Sequence, residues 1–265
     1  MKEEEEKGVR LNRYLASCGV ASRRACDALI LEGRVELNGK ITVDLASRVF
    51  PGDHVKFDGK MLRGQTPLSI VLNKPKKFLC TKNDPEGRDT IYQLLPKTFS
   101  KLHYVGRLDY DSSGLILLTS DGELTERLAH PRYHVEKEYE VLLDHAFAPE
   151  YIPTLLEGFQ FPEGLAKAEA VAIETKRRLR VILTQGYNRQ IRRMFSKIGY
   201  KVARLERIRI GSLVMPELST GEYHILTHRE IEAACVNPQN MKRSRRPRGN
   251  DEEAKPRDSE SSDDQ

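Results

Sequence analysis

The apolar positions of the chain fall into two regimes. From Val9 to about Lys60 they recur at helical spacing: Leu11, Leu15 and Cys18 lead to Gly19, and Ala25, Leu29 and Ile30 lead to Gly33. That spacing predicts two short amphipathic helices, the first stopped at Gly19 and the second opened by Ser22 as N-cap and ended at Gly33. Arg34 to Leu37 before Asn38-Gly39 predicts a strand entering a hairpin turn, and Asp53 to Phe57 before Asp58-Gly59 predicts another. After Met61 to Pro67, a polar stretch with Gly and Pro, the pattern lengthens. Leu68 to Leu72 is an apolar run that Pro75 should stop, while Lys137 to Leu143 and Arg178 to Thr184 alternate as strands do. Leu124 and Leu128 predict a short amphipathic helix after Asp121-Gly122. Ile191, Met194, Phe195 and Ile198 form one helical stripe, and Thr227 with Glu230 makes a capping box for a last helix, Glu230 to Cys235.

These regimes divide the chain into a first unit over 8–60, a linker over 61–67 and a larger unit over 68–238. Residues 1–7 are acidic and polar, and 239–265 run from the basic KRSRRPR to an acidic end, so both termini are expected to be disordered. At 265 residues the chain can bury a real core. No apolar run approaches membrane-spanning length and no signal peptide precedes the first unit, which predicts a soluble cytoplasmic protein without membrane contact. Its four cysteines, Cys18, Cys26, Cys80 and Cys235, are too far apart for a zinc ribbon or a redox pair, so they read as reduced thiols and no metal site is expected.

The excess of 44 Lys and Arg over 39 Asp and Glu leaves a net charge of +5, which understates local clustering. Arg10, Arg13, Arg23, Arg24 and Arg34 stud the first unit. They form either a solvated basic face or a set of forked donors matched to phosphate oxygens. On the late helix, Arg189 and Arg193 fall opposite the apolar stripe, whereas Arg192 lies on its flank and should be partly enclosed. An enclosed guanidinium needs an anion, either a functional one or a structural carboxylate.

The densest chemistry lies in Tyr104 to Gly122, YVGRLDYDSSGLILLTSDG. An apolar run ending at Val105 gives way to Gly106-Arg107-Leu108-Asp109, then to the polar Asp111-Ser112-Ser113-Gly114, then to Leu115 to Leu118. This predicts strand, tight turn, strand, with Asp109 where the scaffold opens into a loop. Asp109 and Asp111 serve there either as reactive carboxylates or as partners of their own turn backbone.

Two resemblances extend this reading. RLNRYLASCGVASRR with GRVELNGK resembles the small αL-type RNA-binding module of one ribosomal protein and of tyrosyl-tRNA synthetases. With LNKP at Leu72 to Pro75, GRLDYDSSGLILLTSDG, KEY at Lys137 to Tyr139 and GYNRQIRRMF, the chain resembles pseudouridine synthases of the RsuA/RluB type over residues 8 to 235. The resemblance implies an α+β protein: an αL RNA-binding domain linked to a mixed, largely antiparallel-sheet catalytic domain with a central cleft. It implies an isomerase that converts a uridine of ribosomal RNA, of the large subunit by motif detail, to pseudouridine. The reaction exchanges a C1′–N1 bond for a C1′–C5 bond without redox change or group transfer, so no cofactor is expected.

By the same resemblance Asp109 is the reacting carboxylate, which either attacks C1′ or removes the C2′ proton. Arg192 pairs with it and steadies its charge, and Tyr139 lies against the flipped base. Arg107 and Leu205 belong to the substrate pocket. Lys74, Arg189, Arg193, Arg10, Arg13, Arg23 and Arg24 contact RNA phosphates. The expected partner is free rRNA or a pre-ribosomal particle, met by a monomer. Lys77 stands where the family often has Gly, and Gln185 and Tyr187 where Glu and Arg are usual. Two other functions fit parts of the sequence: a non-catalytic RNA-binding or ribosome-assembly protein that uses the same domains as a platform, and an aspartate-dependent nucleoside glycosidase.

Overall fold

The computed structural model describes residues 8–64 and 66–238; the termini expected to be disordered, 1–7 and 239–265, lie outside the described residues. The first unit runs β1 (Val9–Arg10), α1 (Leu11–Ser17), α2 (Arg23–Leu31), β2 (Val35–Leu37), β3 (Lys40–Ile41), β4 (Arg48–Val49), β5 (Val55–Phe57) and β6 (Lys60–Met61). Ser22 caps α2 by accepting from the Ala25 amide at 3.2 Å. Leu11, Leu15, Cys26, Ile30, Val35, Val49 and Val55 bury the apolar faces of these elements in one small core. Asn38-Gly39 and Asp58-Gly59 have positive φ at both residues, the turn whose twist suits an antiparallel hairpin, and they order the sheet β3-β2-β5-β6. Met61, expected in the linker, therefore belongs to a strand, and Leu62 packs on the small core.

The second unit contains β7 (Ser69–Lys74), β8 (His103–Val105), β9 (Ser113–Thr119), α3 (Gly122–Ala129), β10 (Lys137–Leu143), α4 (Ile152–Glu157), β11 (Phe159–Phe161), β12 (Gly164–Ala166), β13 (Ala170–Ile173), β14 (Arg178–Leu183), α5 (Gln190–Lys197), β15 (Val202–Ile210), β16 (Leu213–Val214), β17 (Tyr223–Ile225) and α6 (His228–Ala234). Its main sheet has the order β13-β14-β10-β15-β9-β7-β17, with β16 on β15 and β8 on β9. Within it only β9 and β15 pair in parallel among the described residues. Both faces are covered, which is why the central strands read as unbroken apolar runs. Ile70, Leu72, Ile116 and Leu118 face the larger core with Ile191, Met194 and Phe195 of α5. Val71, Leu115 and Leu117 face the other way, onto Leu124 and Leu128 of α3.

Two departures from regular geometry shape the site. The expected tight turn between β8 and β9 is a loop over 106–112, within which the Ser112 amide closes a turn on the Asp109 carbonyl at 3.0 Å. On β15 a bulge opposite Glu138 and Tyr139 leaves Ile208 unpaired, so Arg209 lies opposite Glu138 and Arg207 opposite Tyr139. In a regular strand these two arginines share a face; the extra residue turns them to opposite sides. No described helix is long and apolar enough to cross a membrane.

Candidate active site

The loop over 106–112 is held from below. Gly114, the first strand residue to clear it, has φ of 105°, and a Cβ there would stand 2.3 Å from the Arg207 carbonyl oxygen. Only glycine lets β9 approach β15 this closely. Lys74, expected at a phosphate, is instead fully buried at the end of β7. Its ammonium donates to the carbonyls of Pro75, Asp109 and Ser112 at 2.9, 3.2 and 2.8 Å. Pro75 stops the strand as expected, but the side chain turns inward and ties the middle and the far end of the loop to the end of its own strand. Burial lowers its pKa, opposed by Asp109 and Asp111. Cys80 adds a further tie, since its Sγ accepts from the Leu108 amide and donates to the Leu108 carbonyl, both at 3.4 Å. Lys77 adopts φ of 67° and donates its amide to the Tyr110 carbonyl at 2.7 Å.

Above this support opens a cleft of about 690 Å³, within the usual size of small-ligand sites. Arg107, Asp109, Tyr139 and Arg189 line it, and they also line a smaller hollow of about 70 Å³ whose wall includes Leu205. The sheet explains the grouping. Tyr139 on β10 lies opposite Arg207 on β15, and Val141 opposite Leu205, so Tyr139 and Leu205 rise from one face. Tyr139 and Leu205 are buried, whereas Asp109 is half-buried. Among the described residues the Asp109 carboxylate, the Tyr139 hydroxyl and the guanidinium groups of Arg107 and Arg189 have no side-chain hydrogen bond or ion pair. An unpaired carboxylate beside an aromatic ring, an apolar wall and two free cations can accept a sugar, a base and a phosphodiester together.

Arg192 is placed differently from expectation. It forms no ion pair with Asp109 and lines neither hollow. Its Nη1 donates to the Val202 carbonyl at 2.8 Å and its Nη2 to the Asp111 carbonyl at 3.2 Å. Its position on the flank of the α5 stripe points it at backbone carbonyls, which take both Nη donors, while its buried Nε has no partner. Burial and the neighbouring Arg189 lower its pKa, while Asp109 and Asp111 oppose them, so the carboxylate lies within its field. Arg193, expected at a phosphate, is engaged by Glu163 at 2.9 and 3.1 Å and stacks over the Phe161 ring.

In the first unit Arg13 pairs with Glu123 of α3 at 2.5 Å, Arg34 grips Asp58 with two bonds, and Arg10 donates to the Leu45 carbonyl. Arg23 and Arg24 are exposed on α2 and have no side-chain partner among the described residues.

Two cations in the cleft wall were not anticipated from the sequence. Arg207 is 3% exposed; its Nε donates to the Leu115 carbonyl at 2.7 Å and its Nη2 has no partner. Lys137, two residues before Tyr139 on the same face of β10, has no side-chain partner among the described residues. Both line the larger hollow and neither lines the smaller. The signal for Arg207 was its parity: it shares the inward register of Leu205 in LERIRI, where a strand normally places an apolar side chain.

The pattern of the RNA pseudouridylate synthases matches residues 69–197, and that of the S4 domain matches residues 9–55. The ribosomal large subunit pseudouridine synthase B of Yersinia pestis is 38% identical over 79% of this chain and 70% of its own length. The ribosomal small subunit pseudouridine synthase A of the same organism is 33% identical over 84% of this chain and 97% of its own. A crystal structure of a pseudouridylate synthase superposes with a TM-score of 0.63 at 31% identity, covering 86% of this chain and 100% of the other.

Proposed function

The chain belongs to the RNA pseudouridylate synthase family, and on that premise we propose that it isomerises a uridine of large-subunit ribosomal RNA, with Asp109 as the reacting carboxylate. The observation that carries this assignment is the convergence of a free Asp109 carboxylate with Tyr139, Leu205, Arg107 and Arg189 on one cleft. The large-subunit assignment is supported by the closer identity of the large-subunit relative within one organism.

Pseudouridine formation breaks the C1′–N1 bond, turns the uracil and joins C1′ to C5; the proton leaving C5 is matched by one gained at N1. Asp109 attacks C1′ or takes the C2′ proton. A paired uridine cannot present these atoms, so the nucleotide is flipped, its base lying against Tyr139 and the Leu205 wall. Arg107 and Arg189 meet the splayed strand around it. Arg192 and Lys74 act through the loop: by holding the carbonyls of Asp109, Asp111 and Ser112 they fix where the carboxylate sits. Arg192 thus serves as a positioning residue. The first unit docks the RNA, with Arg23 and Arg24 as its free donors. We place the enzyme in the cytoplasm, acting as a monomer on free rRNA or a pre-ribosomal particle.

A non-catalytic platform is not favoured, because a free carboxylate in an RNA cleft repels phosphate and serves a binder poorly. Carbodiimide-dependent reverse-transcription stops on rRNA from cells with and without the gene test the assignment. One site, or very few, disappears without the gene. Asp109→Asn is expected to lower turnover by about 10⁴-fold or more while RNA binding persists. Full restoration of the missing stop by that variant would remove Asp109 from its role.

A further inference from the structure

The cleft has two chemically distinct ends, and the reaction described above uses one of them. Asp109, Tyr139, Arg189 and Leu205 share the smaller hollow, which suits a ribose and its base. Beyond Tyr139, the larger hollow continues to Lys137 and Arg207, which the smaller does not reach. The separation follows from the sheet. Along β10 the inward side chains run Val141, Tyr139, Lys137, and along β15 they run Leu205, Arg207, so polarity rises along one face from apolar through aromatic to cationic.

From this arrangement we infer that Lys137, backed by Arg207, forms a subsite for a phosphodiester of the RNA backbone beside the flipped nucleotide. The inference rests on the isomerase reading, which supplies the RNA. Three features support it. Lys137 carries an ammonium with no hydrogen bond or ion pair among the described residues. Arg207, almost wholly removed from solvent, keeps Nη2 without a partner, and its Nη1 lies 3.9 Å from where a Cβ on Gly106 would stand, at the start of the reactive loop. A buried guanidinium beside a half-buried ammonium, with no anion for either, is costly, and a phosphate placed between loop and sheet satisfies both. Burial, followed by the charge of Arg207, also pulls the Lys137 pKa down to about 8, as a cation short of a counter-charge requires. The location favours a phosphate over a carbonyl of the uracil, because Lys137 lies outside the hollow that Asp109 shares with Leu205.

The test uses the shortest rRNA fragment that the wild-type protein converts, together with copies in which one linkage at a time near the target uridine is an uncharged methylphosphonate. Lys137→Met, which keeps the stem and removes a charge that folding must bury, is compared with wild type; Lys137→Gln is the second variant should the first fail to fold. On the native fragment the variant is expected to lose about tenfold in kcat/KM, the value of one charge-assisted contact. At one linkage the methylphosphonate costs wild type about as much and costs the variant less than about twofold. A loss of folding or of general packing does not produce that selective coupling. If the two losses multiply at every linkage, or if no linkage matters to wild type, Lys137 holds no phosphate and the subsite is wrong. A wild-type protein that converts no rRNA fragment overturns the isomerase reading and this inference together.

Discussion

Arg207 and Arg209 stand on the same strand and are almost equally buried, at 3% and 7% exposure, yet they face opposite chemistries. On the back of the sheet Arg209 reaches Glu138 at 2.5 Å and Glu136 at 3.0 Å, and its Nη1 donates to the Gly211 carbonyl. On the cleft side Arg207 has one backbone carbonyl and an empty Nη2, with Lys137 as its neighbour. One bulged residue, Ile208, separates the two. The same side chain is thus a finished structural part on one face and an unfinished one on the other. A fold able to bring two carboxylates within hydrogen-bond reach, and that withholds them from the cleft, leaves its charge for a ligand.

The largest expected effect comes from exchanging the two arginines for methionine. Arg209→Met leaves Glu136 without a cation and Glu138 with only Arg180 at 3.4 Å, in a mostly buried setting, and removal of one partner from such a set costs about 3–5 kcal/mol. Arg207→Met removes a charge with no carboxylate to strand, so its stability should stay within about 1 kcal/mol of wild type while rRNA turnover falls. Urea unfolding of both variants reads the difference. Equal losses of stability would mean that the two faces do the same structural job and that the contrast has no functional content.

Lys137 gives the next largest effect and carries a sign. The unfolded lysine titrates near its ordinary value of 10.5, and the folded one at about 8. Between those values the unfolded chain holds a proton that the folded chain lacks, so folding gains stability as pH rises. Across this window wild type should gain roughly 3 kcal/mol over Lys137→Met, from a shift of two to three units. Below pH 8 the burial cost is constant and the variant is the more stable protein. Subtracting one pH profile from the other cancels groups common to both, such as the Cys80 thiol, which burial pushes up. A flat difference from pH 8 to 10.5 would mean that Lys137 is solvated.

What the sequence made legible, and what it did not, follows the same divide. The alternation from Lys137 to Leu143 coincides with β10, and the Thr227 capping box stands as read, with the Glu230 amide donating to Thr227 Oγ1 at 3.4 Å and Glu230 accepting from the Thr227 amide at 2.7 Å. These are local features, fixed by periodicity and by backbone donors a few residues away. Arg207 stayed hidden because an arginine in a strand reads as an outward residue, although it keeps the inward parity of Leu205; the bulge at Ile208, a property of pairing with β10, turns Arg209 to the other face. Lys74 was misplaced for a related reason. Its position at a strand end before Pro75 suggested an exit to solvent, whereas the carbonyls of Pro75, Asp109 and Ser112 draw it in. The Arg192 flank position was visible on a helical wheel, but its acceptors, the carbonyls of Asp111 and Val202, come from elsewhere in the fold. Lys77 is the instructive exception: the resemblance led to the expectation of a glycine there, and the residue is left-handed, where a side chain costs about 1–2 kcal/mol.

The smallest expected effect extends the comparison to charges in open water. Arg23 and Arg24 are exposed and have no side-chain partner among the described residues, whereas Arg13 in the same unit is already met by Glu123. Solvation removes the electrostatic penalty that singles out Arg207, so here the absence of a partner matters only for affinity. Removing one phosphate-binding cation, through Arg23→Gln or Arg24→Gln, should flatten the dependence of log K on log salt by about 0.7 to 0.9. Arg13→Gln should flatten it less, because Glu123 already competes with RNA for that guanidinium. Salt titrations of rRNA-fragment binding measure all three. Arg13 outweighing the exposed pair would place the RNA against α3 and the junction with the catalytic unit, and would move the docking face off α2.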